Sequence, residues 1–258
     1  MKTIQTLQNE SDRISNIAEK RAFEFVLKYL LTLNRQISVV ARTQSINEAT
    51  NKVNSINGVK ELYSQIYNKS GWYYAQLQHT QLLNQKRMNI SFFSTIWKAF
   101  MNKQLGSTEM VKRIVDVTEN IKEKFRELLL TANKNNYSTQ QTAKLFQDNI
   151  SVSRVRALRI ARTEMTHASA LGAEFATETI EGLELYAVWI HSKVGNYRET
   201  HAAVNGKYVK KGEDFNVGGV KMKYPGDPRG GASEVVNCRC RVSYLTKEAL
   251  QSFNLWKK

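Results

Sequence analysis

Apolar residues recur every three or four positions through much of the first 180 residues, which is the spacing of one helix face. The clearest run is Met110, Ile114, Val117, Ile121, Phe125 and Leu128. Thr108 is a candidate N-cap, and residues 133–136 are a plausible exit. The pattern predicts a long amphipathic helix between these two points.

A second helical signal follows directly. Ser138-Thr-Gln-Gln141 fits a capping box, in which Ser138 caps the helix and Gln141 reaches back to it. This predicts a short helix over about 139–148, followed by another over roughly 152–179. The inward face of the second helix is predicted to carry Val155, Leu158, Ala161, Met165 and Ala168. The first hundred residues show similar apolar faces and are also expected to be helical.

The pattern changes to alternation beyond residue 183. Residues 183–192, LELYAVWIHS, are rich in β-formers and predict a strand buried on both faces. Residues 235–245, VVNCRCRVSYL, predict a second strand. In an extended strand, Cys238 and Cys240 would share the apolar face and Arg239 would point the other way.

Glycine and proline usage marks a boundary near residues 172–182. Residues 1–171 contain three glycines and no proline, whereas residues 172–231 contain ten glycines and both prolines. We therefore predict an α+β chain, with a long N-terminal helical region followed by a small C-terminal domain of a few strands and long Gly-rich loops. The predicted segments are 1–104, of unknown role, 105–181, which is helical, and 182–258, which ends in the strand that carries residues 237–240.

Composition limits the classes of protein. The chain has 258 residues, a formal net charge of +15 and no apolar stretch of the length that spans a bilayer. Its N-terminus lacks the apolar core of a signal peptide, so we expect a soluble, intracellular product. The basic charge is spread along the chain and favours non-specific contact with a polyanion, most often nucleic acid. A basic protein with no such partner is the plainer alternative.

Cys238 and Cys240 are the two cysteines of the chain, and three interpretations compete for them. A disulfide between residues i and i+2 of a flat strand would be strained, and an intracellular location disfavours it further. The preferred interpretation is that both are small core residues. The alternative is a zinc site in which His201 joins the two thiolates. His191 and Asp227 are then the candidates for a fourth ligand.

Arginines cluster on the helix predicted over 152–179. Arg159 and Arg162 lie one turn apart and share a face. We expect Arg154 and Arg156 to lie on a solvated face. Arg162 lies among apolar residues, and we expect it to pair with Glu164 of a neighbouring chain or with the C-terminal strands.

Four stretches in a fixed order now identify a family. They are IARTEMTHASALGA (160–173), VWIHSKVGNYRETHAAVNGKYV (188–209), YPGDP (224–228) and NCRC (237–240). Their order resembles that of the phage Mu protein F-like family of minor head, or head morphogenesis, proteins, and the resemblance covers roughly residues 105–245. Residues 1–100 match nothing that we can place.

The resemblance implies a set of signature residues that hold the C-terminal domain together. These are Arg162, Thr163, Glu164, Trp189, Arg198, Asn237 and Arg239, with His201, Cys238 and Cys240 as the metal candidates. The family usually carries an aspartate two residues before the arginine of its Arg-x-x-His motif, and this chain has Asn196 there. A carboxylate role at that position, in metal binding or in an ion pair, is therefore weakened here.

The resemblance also implies a function. Such proteins are minor components of a tailed-phage head and associate with portal or capsid protein during assembly, and some contact the packaged DNA. We therefore expect a virion protein at the head interior or portal vertex that occupies the host cytoplasm during assembly. We expect no membrane partner, no catalysis and no certain cofactor, with zinc as the one candidate.

Two other functions stay open at this stage. Domains of this family can sit beside toxin domains, and a histidine with Cys, Asn and Arg neighbours could support metal-dependent hydrolysis, such as nuclease chemistry. His201 has no evident carboxylate partner in its own motif, which argues against this. A plain DNA-binding protein is the other alternative, and its binding would be non-specific because no reading motif is present.

Overall fold

The computed structural model describes residues 3–40, 56–83, 90–193 and 197–256. Its first part consists of helices, and a π-helical turn, Tyr67–Gly71, joins two of them. The helices are α1 (Ile4–Val40), α2 (Ile56–Ile66), α3 (Trp72–Leu82), α4 (Ile90–Leu105), α5 (Thr108–Lys134), α6 (Thr139–Asp148) and α7 (Ile150–Glu178). Among the described helices, none carries an apolar run long enough for a membrane crossing.

The C-terminal part contains short strands and short helices. The strands are β1 (Tyr186–Ile190), β2 (Tyr208–Lys210), β3 (Phe215–Val217), β4 (Val220–Met222) and β5 (Arg241–Leu245). The helices are α8 (Glu199–Ala202), the 3-10 turn Pro228–Gly230, α9 (Gly231–Val235) and α10 (Lys247–Ser252). An antiparallel sheet has the order β2-β1-β5, and β3 pairs with β4 in a separate hairpin. The predicted α+β class is confirmed.

The chain divides into two compact units, each built from segments distant in sequence. Met1–Ala22, Ile66–Phe100 and Arg159–Lys258 form one unit, called the signature unit here because it holds all the signature residues. Phe23–Gln65 and Met101–Leu158 form the other, called the helical unit. Each unit combines residues from more than one of the three predicted segments, because residues far apart along the chain pack together.

The core of the signature unit is organised around α7. Every residue from Thr163 to Ala173 is buried, so this stretch of helix is enclosed on all sides. Its small side chains permit close approach: a Cβ on Gly172 would lie 2.1 Å from the backbone oxygen of Gly71. Trp97 packs edge-on against Phe175 with ring centroids 5.2 Å apart. The strand β1 supplies the fully buried Trp189 to the same unit.

The helical unit contains α5, whose apolar face and N-cap were predicted from local sequence signals. Helix α5 buries a stripe at the predicted spacing, which includes Met110, Ile114, Ile121 and Phe125. Its N-cap is Ser107, whose Oγ accepts from the backbone N–H of Met110 at 3.3 Å. Thr108, the predicted cap, is the first helical residue instead. Serine and threonine are both preferred N-cap residues. Ser107 takes this position because its backbone is extended, as an N-cap requires.

The capping box at the start of α6 is confirmed. The backbone N–H of Ser138 donates to Gln141 Oε1 at 2.7 Å, and the N–H of Gln141 donates to Ser138 Oγ at 3.2 Å. On α7, however, Val155 is 61% exposed, so its predicted inward position is wrong. The buried face begins at Ala157 and continues at Ala161, four residues on, which leaves Val155 outside it.

Both predicted strands are shorter in the structure. Strand β1 begins at Tyr186 rather than 183, and β5 begins at Arg241, so Asn237–Cys240 does not lie in a strand. Asn237 has a φ of 62°, a left-handed conformation that extended backbone excludes. The backbone N–H of Cys238 instead closes a turn onto the carbonyl of Val235 at 3.3 Å. We call residues 236–240 the NCRC turn.

The contact between Gly172 and Gly71 gives a direct test of core packing. Replacing Gly172 with alanine should lower the free energy of unfolding by about 3 kcal/mol or more, because backbone atoms must move apart. Gly106→Ala is the matched control, since a Cβ there meets nothing closer than 3.5 Å. Thermal unfolding, monitored by circular dichroism, measures the stability of both variants. Equal midpoints for the two variants would contradict this packing.

Candidate functional site

The NCRC turn has no strand partner, and side chains of α7 satisfy its backbone instead. The N–H of Asn237 donates to Thr163 Oγ1 at 2.9 Å, and the hydroxyl of Thr166 donates to the carbonyl of Cys238 at 2.5 Å. Arg162 reaches the side-chain oxygen of Asn237 at 3.3 Å. Two predicted signature stretches, residues 162–164 and 237–240, therefore meet in space.

Arg198 holds the segment that leads into the NCRC turn. Its guanidinium donates to the carbonyl of Ser233 and, at 2.7 Å, to the carbonyl of Val236. These carbonyls lie at the C-terminal end of α9, where helix carbonyls lack partners within the helix and attract cations. Arg198 is also the residue immediately before α8. It therefore fixes the start of α8, and with it His201, against the NCRC turn.

His201 and the two cysteines converge at this point. All three are buried, and the Nδ1 of His201 lies 3.4 Å from the Sγ of Cys240 and 3.5 Å from the Sγ of Cys238. Trp189 packs edge-on against the imidazole with ring centroids 5.3 Å apart. Among the described residues, these three form a group whose potential ligand atoms all lie within 4.8 Å of one another. The predicted convergence of His201 with both cysteines is thus present in the fold.

A carboxylate lies on the other side of the same imidazole. The Nε2 of His201 is 2.9 Å from Glu234 Oε2, although the N–H direction falls outside hydrogen-bond geometry. At this distance the contact between the imidazole and the carboxylate is mainly electrostatic. The same oxygen accepts from Thr200 Oγ1 at 2.9 Å, which fixes the carboxylate. Glu234, on helix α9 just before the NCRC turn, was not singled out by sequence.

The two thiols differ in their affinity for a proton. The pKa of Cys238 lies well below its ordinary value, because the thiol of Cys240 and then His201 donate to its sulfur and outweigh the effect of burial. The pKa of Cys240 is raised, first by donating to Cys238 and then by burial. Cys238 therefore gives up its proton more readily than Cys240.

Helix α1 contacts the site through one carboxylate. Glu19 accepts from Arg162 Nε at 2.7 Å and from Arg239 Nε at 2.9 Å, so it bridges α7 and the NCRC turn. Burial raises the pKa of Glu19, but the hydrogen bonds from Arg239 and Arg162 outweigh it and leave the pKa below its ordinary value. Arg162 was expected to pair with Glu164 of a neighbouring chain or with the C-terminal strands. Within the chain it pairs with Glu19, and it also contacts Asn237, in the segment that was predicted as the second strand.

A polar cavity of about 270 Å³ opens beside these groups. Its lining consists of Arg162, His191, Ser192, Tyr197, Arg198, His201, Asn237, Cys238, Arg239 and Cys240. Three of these residues are arginines, and none carries a carboxylate. The imidazole of His191 is buried, and its Nε2 has no hydrogen-bond partner among the described residues. Burial, and then the neighbouring His201, lower the pKa of His191.

The remaining residues chosen from sequence lie away from this group. Glu164 accepts from the hydroxyl of Tyr67 at 2.8 Å. Asp227, a candidate fourth ligand, accepts from the backbone N–H groups of Lys223 and Arg229 at 2.7 and 3.0 Å and stabilises its own loop. Arg154 is exposed, as expected. The position of Asn196 lies outside the described residues.

Arg241 is a second residue that sequence did not single out as part of the site. It is 3% exposed, and it donates to Tyr74 Oη at 3.0 Å, to Thr166 Oγ1 at 2.9 Å and to the carbonyl of Cys240 at 2.7 Å. These contacts link α3, α7 and the end of the NCRC turn. In the predicted strand over 235–245, Arg241 falls on the same face as Arg239, opposite the cysteines, and no local signal in the sequence marks it as buried.

Comparison with known proteins places this site in context. Residues 123–243 match the family described as Phage Mu protein F like protein. The chain is also 25% identical over 171 residues to a protein named NAD(+)--arginine ADP-ribosyltransferase EFV, from Enterococcus faecalis (strain ATCC 700802 / V583). That match covers 66% of this chain and 34% of the other protein, so about two thirds of the latter lies outside it. No solved structure matches the chain.

The bridge formed by Glu19 predicts a pH-dependent stability. Glu19→Gln should lower the free energy of unfolding by about 2–3 kcal/mol at neutral pH, because Arg162 and Arg239 lose their counter-ion. A carboxylate whose pKa is lower in the folded than in the unfolded protein stabilises the fold at pH values above its unfolded pKa. This stabilisation disappears as the pH falls through the folded pKa. The difference between wild type and variant should therefore shrink below about pH 4.5.

Urea unfolding at several pH values measures this difference. Glu24→Gln is the matched control, because Glu24 lies on the same helix and is exposed. It should change stability by less than about 0.5 kcal/mol at every pH. A Glu19→Gln effect that is small at neutral pH, or constant with pH, would contradict the bridge.

Proposed function

Because residues 123–243 match the family described as Phage Mu protein F like protein, we propose that this protein is a minor structural protein of a tailed-phage head. The family match supports a role in head morphogenesis, and it is the observation that carries the proposal. The match covers all the signature residues, from Arg162 to Arg239, and the candidate metal ligands.

The geometry of the signature residues supports a structural rather than a catalytic role. Thr163 and Arg198 bond to backbone groups, and Arg162 and Arg239 share the carboxylate of Glu19. Trp189 is fully buried in the core. Each of these contacts connects segments of the chain and leaves few groups free to act on a substrate. Such a unit would serve as a rigid module for assembly.

We propose portal protein, major capsid protein, or both, as its partners. The first hundred residues lie entirely outside the family match, and helices there would provide a contact specific to this particle. Packaged DNA is a further partner, since a net charge of +15 attracts phosphates without reading sequence. The protein would then occupy the head interior or portal vertex, after assembly in the host cytoplasm.

An enzymatic function is the second candidate, because one relative is named as an ADP-ribosyltransferase. The cavity beside His201 measures about 270 Å³, below the roughly 300–1,000 Å³ of typical ligand pockets, and a dinucleotide is a large ligand. Among the residues that the structure describes, none that lines the cavity carries a carboxylate to act as a general base. These features favour a non-catalytic role for this chain, and they also disfavour nuclease chemistry at this cavity.

The first prediction from this proposal concerns purified virions. Quantitative mass spectrometry against the major capsid protein should find a few to a few tens of copies of this protein in each particle. Cross-linking in the same particles should connect it to portal or capsid protein. A host membrane protein of similar abundance serves as the control for contamination. Absence from mature particles, or abundance equal to the capsid protein, would contradict the proposal.

The second prediction concerns DNA. The purified chain should bind duplexes of unrelated sequence with equal affinity, and the affinity should fall at least tenfold between about 50 and 200 mM salt. Fluorescence anisotropy with two unrelated duplexes measures both properties. Sequence-selective binding that is insensitive to salt would contradict a non-specific contact. Cleavage of the DNA, or ADP-ribosylation of added protein, would instead support the enzymatic candidate.

A further inference from the structure

We propose that His201, Cys238 and Cys240 bind a single divalent metal ion of the zinc class. The inference rests on this chain's own residues and not on the proposed function. The ligand atoms are the Nδ1 of the histidine and the two Sγ atoms. Nitrogen and sulfur of this kind are the donors that zinc takes in proteins.

The distances fit a tetrahedral ion. A nitrogen about 2.0–2.1 Å and a sulfur about 2.3 Å from one zinc, at a tetrahedral angle, lie about 3.6 Å apart. The Nδ1 of His201 lies 3.4 Å from Cys240 Sγ and 3.5 Å from Cys238 Sγ. Both nitrogen–sulfur distances therefore already match those expected between ligands of one tetrahedral zinc ion. A core packed for volume alone has no reason to aim both sulfurs at one ring nitrogen.

The backbone around the ligands is fixed by contacts independent of any metal. Thr166 holds the carbonyl of Cys238, and Arg198 fixes the approach to the turn and the start of α8. The left-handed backbone of Asn237 directs the chain so that both cysteines face His201. Ligands held in this way lose little conformational entropy when an ion binds, which favours binding.

The second contact of the histidine resembles that of metal-binding histidines, because a carboxylate lies beside the ring nitrogen that does not face the sulfurs. Ligating imidazoles place their other nitrogen against a carboxylate, which orients the ring and raises its basicity. Glu234 lies 2.9 Å from the Nε2 of His201, on the side away from the sulfurs, and Thr200 fixes it. The Nδ1 is thereby assigned to the ion and the Nε2 to the carboxylate.

The fourth coordination position opens to the cavity, because all three ligands line it. His191 lines the same cavity but is outside the group of atoms within 4.8 Å, so we assign the fourth position to solvent. Asp227, the other candidate, is bound in its own loop.

Metal analysis of the purified full-length chain tests the proposal. Protein from zinc-supplemented culture should contain about one zinc per chain by plasma mass spectrometry. Removing the ion with a chelator should lower the melting temperature by about 5–10 °C, and added Zn²⁺ should restore it. Absence of zinc after purification, together with no uptake of added Zn²⁺, would overturn the proposal.

Four variants locate the ion. His201→Ala, Cys238→Ser and Cys240→Ser should each lose the zinc, whereas His191→Ala should keep it. His191 is the matched control because it is a buried histidine that lines the same cavity. Retention of zinc by any of the first three variants, or its loss from His191→Ala, would overturn this assignment of ligands.

A spectroscopic test avoids dependence on the folding of variants. The unmodified chain, reloaded with Co²⁺, should show thiolate-to-cobalt charge-transfer absorption in the near ultraviolet and visible bands typical of four-coordinate cobalt. Added Zn²⁺ should abolish both signals by displacement. Cobalt bands without a thiolate contribution would place the ion elsewhere and overturn the proposal, whatever the particle experiments show about function.

Discussion

The fold around the site depends on how the NCRC turn satisfies its backbone hydrogen bonds. Residues 236–240 lie in the signature unit without a strand beside them, and unpaired polar backbone there would cost free energy. Thr163 and Thr166, one turn apart on α7, supply the missing donor and acceptor. The helix must therefore lie close and in one register, and its enclosed, small-residue surface permits that approach.

Ion pairs also connect these elements. Glu19 on α1 accepts from Arg162 on α7 and Arg239 in the turn, so three segments distant in sequence share one carboxylate. Arg198 performs a comparable task for the end of α9, through backbone carbonyls. The signature arginines are thus largely satisfied by the chain itself. The positive charge available for nucleic acid must come mostly from the many other basic residues.

A metal ion and a head-assembly role are compatible physically. The C-terminal part of the chain has short strands and long loops, and a coordinated ion would add a strong local cross-link there. The proposed ion would join α8 to the NCRC turn, which the sheet does not connect directly. A protein that must keep its shape while partners assemble around it benefits from such a link.

The sequence by itself determined the long helices and the cap of α6, whereas the cap of α5 lies one residue before the predicted Thr108. Helix periodicity and the Ser138–Gln141 box are local, so neighbours in sequence suffice to specify them. Tertiary structure alone decided the rest. The alternating pattern predicted a strand over residues 237–240, but the left-handed backbone of Asn237 interrupts it. Side chains of α7 supply the hydrogen bonds that a neighbouring strand would otherwise provide. Glu19 and Glu234 carried no local signal, since their partners lie far away in sequence or on a separate element.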